Sequence, residues 1–225
     1  MLEDMLNSRR DLSGAEQDRA RKCMRRIVDS KLSKLNHQPE TLPQLVDNSE
    51  RKVLIIDQSY NDWSIRKGAA SPETFQEMLD AALEENLDSR IIIKTHPDML
   101  SDKRRGGGNS LGHYDRSMES ERVTLLAEPV NGYSLMEVCD KVYVCSSQMG
   151  FEALMAGKET VIFGAPFYAG WGVGDVRNKS PFLARRKRQR SLEEIFHFMY
   201  IEYTRYVNPN YMRPCEIEEF IEVLA

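Results

Sequence analysis

Four short segments concentrate side chains able to hold an anion or move a proton. D-Q-S-Y-N-D (57–62) carries two carboxylates. Asp57 or Asp62, close to an anomeric carbon, could serve as nucleophile or general base. K-T-H-P-D (94–98) brings Lys94 and His96 together. Pro97 pushes His96 to extended backbone, and an imidazole changes charge near neutral pH. C-S-S-Q (145–148) places Ser146, Ser147 and Gln148 where a strand gives way to a helix, so hydroxyls and first-turn amides could form an anion site. In G-A-P-F-Y-A-G-W-G (164–172), Tyr168 and Trp171 could lie against a base or sugar beside glycines that allow close approach.

Each segment also has a structural reading. Asp57 can cap the turn that follows it, and Asp62 can be a solvated loop residue. His96 can be a satisfied structural histidine, although Lys94, Thr95 and Asp98 around it suit a polar crevice better than a core. Ser147 can be an ordinary N-cap. Phe167, Tyr168 and Trp171 can equally close the base of the core. The run R-R-K-R-Q-R (185–190) could meet anionic lipid or a phosphorylated substrate, yet short charge runs are mostly solvated faces. His37, His113 and His197 carry no comparable signal.

The elements that must position these groups read as an alternation of strands and helices. V-L-I-I-D (53–57), R-I-I-I-K (90–94), V-T-L-L-A (123–127), K-V-Y-V-C (141–145) and T-V-I-F-G (160–164) are short apolar runs of the kind covered on both faces. Ser71-Pro72 starts a helix with Phe75, Met78, Leu79, Ala82 and Leu83 along one stripe. A short helix is expected over Ser134–Cys139, and another over Gln148–Ala156, closed by Gly157. This pattern predicts a doubly wound α/β domain with a parallel sheet over about residues 51–170. Ligands then bind beyond the carboxyl ends of the strands, where all four chemical segments lie.

Residues 1–50 read as a separable helical segment and linker, and 51–225 as the main domain with C-terminal helices. Ser13 and Glu16 form a capping box, followed by an apolar stripe of Ala20, Met24, Ile27, Val28, Leu32 and Leu35. That face either packs on the main domain or awaits an absent partner. Ser191 and Glu194 form a second capping box. The long segment 99–122, with its K-R-R-G-G-G-N-S, is the one biased stretch.

Composition narrows the class. The 31 basic and 35 acidic residues leave a net charge of −4, which argues against a generic nucleic-acid binder. A hydrophobic fraction of 41 % excludes a disordered chain. No apolar run approaches the ~20 residues of a membrane span, and the N-terminus lacks a secretory core. The four cysteines lack metal or disulfide spacing. These features fit a reduced, cytoplasmic protein.

Taken in order, V-L-I-I-D-Q-S-Y-N-D-W-S-I, I-I-I-K-T-H-P-D, V-Y-V-C-S-S-Q-M-G-F-E-A-L-M-A-G and F-G-A-P-F-Y-A-G-W-G resemble the retaining β-Kdo transferases of bacterial capsule synthesis (KpsC/LipB type). Y-I-E-Y-T-R-Y-V-N-P and Cys215 fit as well. The resemblance covers nearly all of residues 15–225. It implies the Rossmann-like, nucleotide-binding half of a GT-B glycosyltransferase, with the acceptor-binding half preceding residue 1 or supplied by a partner chain. The implied donor is CMP-Kdo, and the implied acceptor a Kdo linker on a phosphatidylglycerol-type lipid, met at the inner membrane. No metal or other cofactor is implied. By position, His96, Pro97, Ser146 and Ser147 would hold the phosphate, and Asp57 would be the nucleophile with Asp62 in reserve. Gln58, Lys94, Gln148, Tyr168 and Trp171 complete the implied donor site, with Arg185 and Arg186 as further anion ligands. G-W-G-V-G-D departs from the family pattern, which continues with Leu-Thr. The competing expectation is a non-catalytic remnant or assembly module of capsule biosynthesis.

Overall fold

A computed structural model describes residues 1–43, 51–95 and 112–225. Five of its strands are those expected: β1 (Arg51–Ile56), β2 (Ser89–Lys94), β3 (Val123–Leu126), β4 (Lys141–Val144) and β5 (Glu159–Ile162). A sixth, β6 (Asp175–Val176), has only two residues and no sequence pattern of its own. All six pair in parallel in the order β3-β2-β1-β4-β5-β6. This is the doubly wound order, in which winding reverses between β1 and β4 and opens a crevice there.

The period of two along each strand divides the core between the two faces. Val53, Ile55, Ile91, Ile93 and Val161 join Phe75, Met78 and Leu79 of α4 (Pro72–Glu85) and Ile65 of α3 (Trp63–Lys67). Leu54, Ile56, Ile92, Val142, Val144 and Ile162 face the larger layer. That layer holds α1 (Leu2–Asn7), α2 (Gly14–Asp29), α5 (Gly132–Glu137), α6 (Met149–Met155), α7 (Leu192–Phe196) and α8 (Ile217–Leu224). The antiparallel pair β7 (Tyr206–Asn208) and β8 (Arg213–Cys215) precedes α8.

The N-terminal segment packs on the main domain. Ala20, Cys23, Met24 and Ile27 of α2 share one buried cluster with Phe196, Phe198, Ile217 and Ile221. The apolar stripe is therefore covered within this chain. Both capping boxes form: the Ser13 amide donates to Glu16 Oε2 at 2.8 Å, and the Ser191 amide to Glu194 Oε2 at 2.8 Å.

The basic run is only partly a solvated face: Arg185, Lys187 and Gln189 are exposed, whereas Arg186, Arg188 and Arg190 turn toward the protein. Arg190, its side chain fully buried, donates to the carbonyls of Leu6, Ser8 and Arg10 and to Glu194. Arg186 donates to the carbonyls of Pro166 and Ala169 and pairs with Glu3, Arg185 also reaches Glu3, and Arg188 reaches Asp11. These guanidiniums fasten the N-terminal helices to the loop after β5. Among the described residues, no helix is long and apolar enough to cross a membrane.

Candidate functional site

Because β1 pairs with both β2 and β4, Asp57, Gln58, Lys94 and Ser146 leave the sheet side by side. A crevice of about 460 Å³ opens over these ends, lined in part by Asp57, Gln58, Asp62, Lys94, Ser146 and Ser147. Gln58 bridges the winding reversal. Its Oε1 accepts the Ser146 amide at 2.9 Å and the Ser146 hydroxyl at 3.3 Å, while Nε2 donates to Ser64 Oγ at 3.0 Å. Ser64 and Ser146 lie 3.1 Å apart, hydroxyl to hydroxyl.

Asp57 is held asymmetrically. Its Oδ1 accepts the amides of Gln58 (2.8 Å) and His113 (3.0 Å). Its Oδ2 is buried and has no partner among the described residues. Burial pushes the carboxyl up to about 6, the backbone amides of His113, Gln58 and Tyr114 opposing the shift. One oxygen is thus fixed while the other keeps its lone pairs. Lys94, also buried, donates from Nζ to its neighbour's carbonyl at Thr95, 2.8 Å away. Burial pulls its ammonium down to about 8, the mark of a cation held away from water.

Asp62 lines the crevice but acts as the N-cap of α3, accepting the Ser64 amide at 2.8 Å. Ser147 Oγ accepts the Met149 amide at 3.2 Å, as an N-cap would. Gln148, at the rim, donates to Tyr200 Oη at 3.3 Å. His96 and Pro97 lie outside the described residues.

Tyr168 and Trp171 do not line the crevice. Both are fully buried, and their polar atoms turn to backbone: Tyr168 Oη donates to the Ser147 carbonyl at 2.6 Å, and Trp171 Nε1 to Phe167 at 2.8 Å. The packing reading of this motif is the one realised. Gly150 exists for that contact, because a Cβ there would stand 2.2 Å from Tyr168 Oη.

Three contributors escape the sequence reading. Glu152 lines the crevice, buried, with Oε2 unpartnered among the described residues. Desolvation pushes its carboxyl up to about 7. Its signal is a lone acid in the apolar stretch G-F-E-A-L-M-A-G. His113 contributes through its backbone amide, which no side-chain pattern reveals. Ser33, Lys34 and Leu35, where the helical stripe is expected to continue, and Gln38 form another wall, because α2 stops at Asp29 and the chain turns into a loop.

Glu16, His197 and Glu202 bring possible metal-ligand atoms within 4.8 Å of one another. Arg10 bonds both carboxylates and His197 Nε2 sits 3.0 Å from Glu202, so these groups already serve one another as partners in a packing network.

Residues 11–206 match the family model described as capsule polysaccharide biosynthesis protein. Capsule polysaccharide modification protein LipA of Neisseria meningitidis serogroup A is 41 % identical over 212 residues, covering 92 % of this chain and 29 % of LipA. Lipopolysaccharide-processing protein LpsZ of Rhizobium meliloti is 37 % identical over 209 residues, covering 92 % of this chain and 46 % of LpsZ. The chain therefore spans less than half of either curated relative. The β-Kdo 2,4 transferase structure of Thermosulfurimonas dismutans KpsC superposes with a TM-score of 0.88 at 37 % identity, over 100 % of this chain and 68 % of that one. The β-Kdo 2,7 transferase structure of the same KpsC gives a TM-score of 0.75 at 24 % identity over 99 % and 66 %, a likeness of fold. With a family match over most of its length and a superposition that takes in the whole chain, this protein belongs to the capsule polysaccharide biosynthesis family and has the α/β fold of a KpsC glycosyltransferase domain.

Proposed function

We propose that this chain is the donor-binding half of a retaining β-Kdo glycosyltransferase, taking Kdo from CMP-Kdo for a lipid-linked Kdo acceptor. The observation that carries the reading is Asp57: a buried carboxylate with one oxygen locked by two amides and the other unengaged among the described residues. Asp57 Oδ2 attacks the anomeric carbon, and the bond from that carbon to the phosphate oxygen breaks, its electron pair leaving with CMP. An acceptor hydroxyl then attacks the same carbon, the carboxylate departs, and the hydroxyl proton passes to base or solvent. Two inversions give net retention. Ser146 and Ser147, with His96 from the adjoining segment, hold the departing phosphate. Lys94 pairs with the carboxylate of the sugar or with phosphate. Gln58 keeps Ser146 in place.

Calorimetric titration with CMP tests the binding half of the proposal. Absence of both heat and a thermal shift for the folded protein overturns it and favours an assembly role. Mass spectrometry after incubation with CMP-Kdo tests the chemistry. The protein gains one Kdo, Asp57→Asn does not, and transfer by that variant falls by about 10³-fold or more. His96→Ala weakens CMP binding more than Asp57→Ala does. An adduct that persists in Asp57→Asn, or an inverted product by NMR, rules out the mechanism.

A further inference from the structure

The segment after α2 is fastened over the crevice at both ends by one residue. Lys31, at φ 51°, turns the chain back, and its carbonyl accepts Asn131 Nδ2 at 2.9 Å. The Asn131 amide donates to the Pro39 carbonyl at 2.8 Å, so Asn131 grips the loop at residues 31 and 39. Lys31 Nζ adds bonds to Ser134 Oγ at 3.1 Å and Glu137 at 3.0 Å. The loop is also braced internally. Asn36 Oδ1 accepts the Ser33 amide at 2.6 Å, and the Gln38 amide donates to the Leu35 carbonyl at 3.0 Å. A loop so held presents Leu35 and Gln38 to the crevice in a defined arrangement.

The crevice has two chemically different parts. At the strand ends it offers Asp57, Lys94, Ser146 and Ser147, groups suited to phosphate and an acidic sugar. Beside the loop it offers Leu35, Val130, Gly132 and Met149, which suit a flat, weakly polar ring. Among the described residues the half-buried side-chain amide of Gln38 has no hydrogen-bond partner. A carboxamide carries one acceptor and two donor hydrogens. That set complements a pyrimidine edge bearing an amino group and ring acceptors.

We infer that the 33–38 loop is the nucleobase wall of the donor site, with Leu35 packed on the face of the base and Gln38 bonded to its edge. This inference rests on the donor-binding reading above and assigns the selection of the nucleotide to the N-terminal segment. The phosphate is then held by the sheet ends and the base by a loop more than 100 residues away in sequence from Ser146.

Calorimetric titration of the whole chain with CMP and with ribose 5-phosphate separates the two contributions. Leu35→Ala and Gln38→Ala each weaken CMP binding by about 5- to 20-fold, while ribose 5-phosphate affinity stays within about twofold. His37→Ala, exposed on the same loop and outside the crevice, leaves both unchanged. Melting curves confirm that each variant is folded. Equal weakening of both ligands makes the loop a scaffold and overturns the inference, as does an unchanged CMP affinity in both variants. If the unaltered chain binds neither ligand, the donor-site reading itself falls and takes this one with it.

Discussion

Gln58 and Ser146 are joined across the point where the sheet reverses its winding, Gln58 Oε1 accepting the Ser146 amide at 2.9 Å. The contact spans 88 positions of sequence and ties the end of β1 to the end of β4. One side chain thus links the two strand ends that form the crevice floor.

Replacing Gln58 with Ala leaves the Ser146 amide without its acceptor and removes the Nε2 bond to Ser64 Oγ. The expected cost is about 1–3 kcal/mol, read from urea denaturation, together with weaker CMP binding. A stability loss with unchanged CMP affinity would show that Ser146 does not depend on Gln58 for its position.

Two crevice carboxyls hold their protons more tightly folded than unfolded, Asp57 at about 6 and Glu152 at about 7. The stability they contribute is fully present below the ordinary carboxyl range and is lost as pH rises through those values. Glu152→Gln therefore gains on the unaltered protein as pH rises, by up to about 3 kcal/mol at pH 8 and far less at pH 5. Equal stability differences at the two pH values refute this. In transfer assays, activity that needs ionised Asp57 rises as pH passes through about 6.

Gly150 and Tyr168 form a close contact behind Ser147. Gly150→Ala drives a methyl against Tyr168 Oη and also to 2.7 Å from Val144 Cγ2. It should cost about 1–3 kcal/mol despite the better helix propensity of alanine. Tyr168→Phe removes the bond to the Ser147 carbonyl, at a cost of about 1 kcal/mol. The double variant should be less destabilised than the sum of the two, since the phenolic oxygen is the nearest obstacle. Simple additivity in denaturation experiments counts against this contact.

Arg190 tests how far the inward-facing part of the basic run serves packing rather than binding. Arg190→Ala strips three carbonyls and Glu194 of a fully buried donor, with an expected loss of about 3–5 kcal/mol. Binding to anionic vesicles by the folded variant should match that of the unaltered protein. Loss of vesicle binding without loss of stability would return this run to the surface role its composition suggests.

Five strands, the two N-terminal capping boxes and the α4 stripe were legible in the sequence, because each depends on residues within a few positions of one another. Short apolar, β-branched runs bounded by turn residues favour strands, and Ser13 finds Glu16 in any helix that starts there. The clustering of Asp57, Gln58, Lys94, Ser146 and Ser147 also followed, since a parallel sheet puts every strand's carboxyl end on one side. Spacing could not show which strands are neighbours. Gln58 meets Ser146 because β1 lies between β2 and β4, an order decided by how helices cover both sheet faces. The same packing turned Tyr168 and Trp171 inward, drew Arg186 and Arg190 onto backbone carbonyls, and laid residues 33–38 along the crevice. A side chain's identity fixes what it can bond, whereas burial and long-range neighbours decide what it does bond, and those belong to the folded chain as a whole.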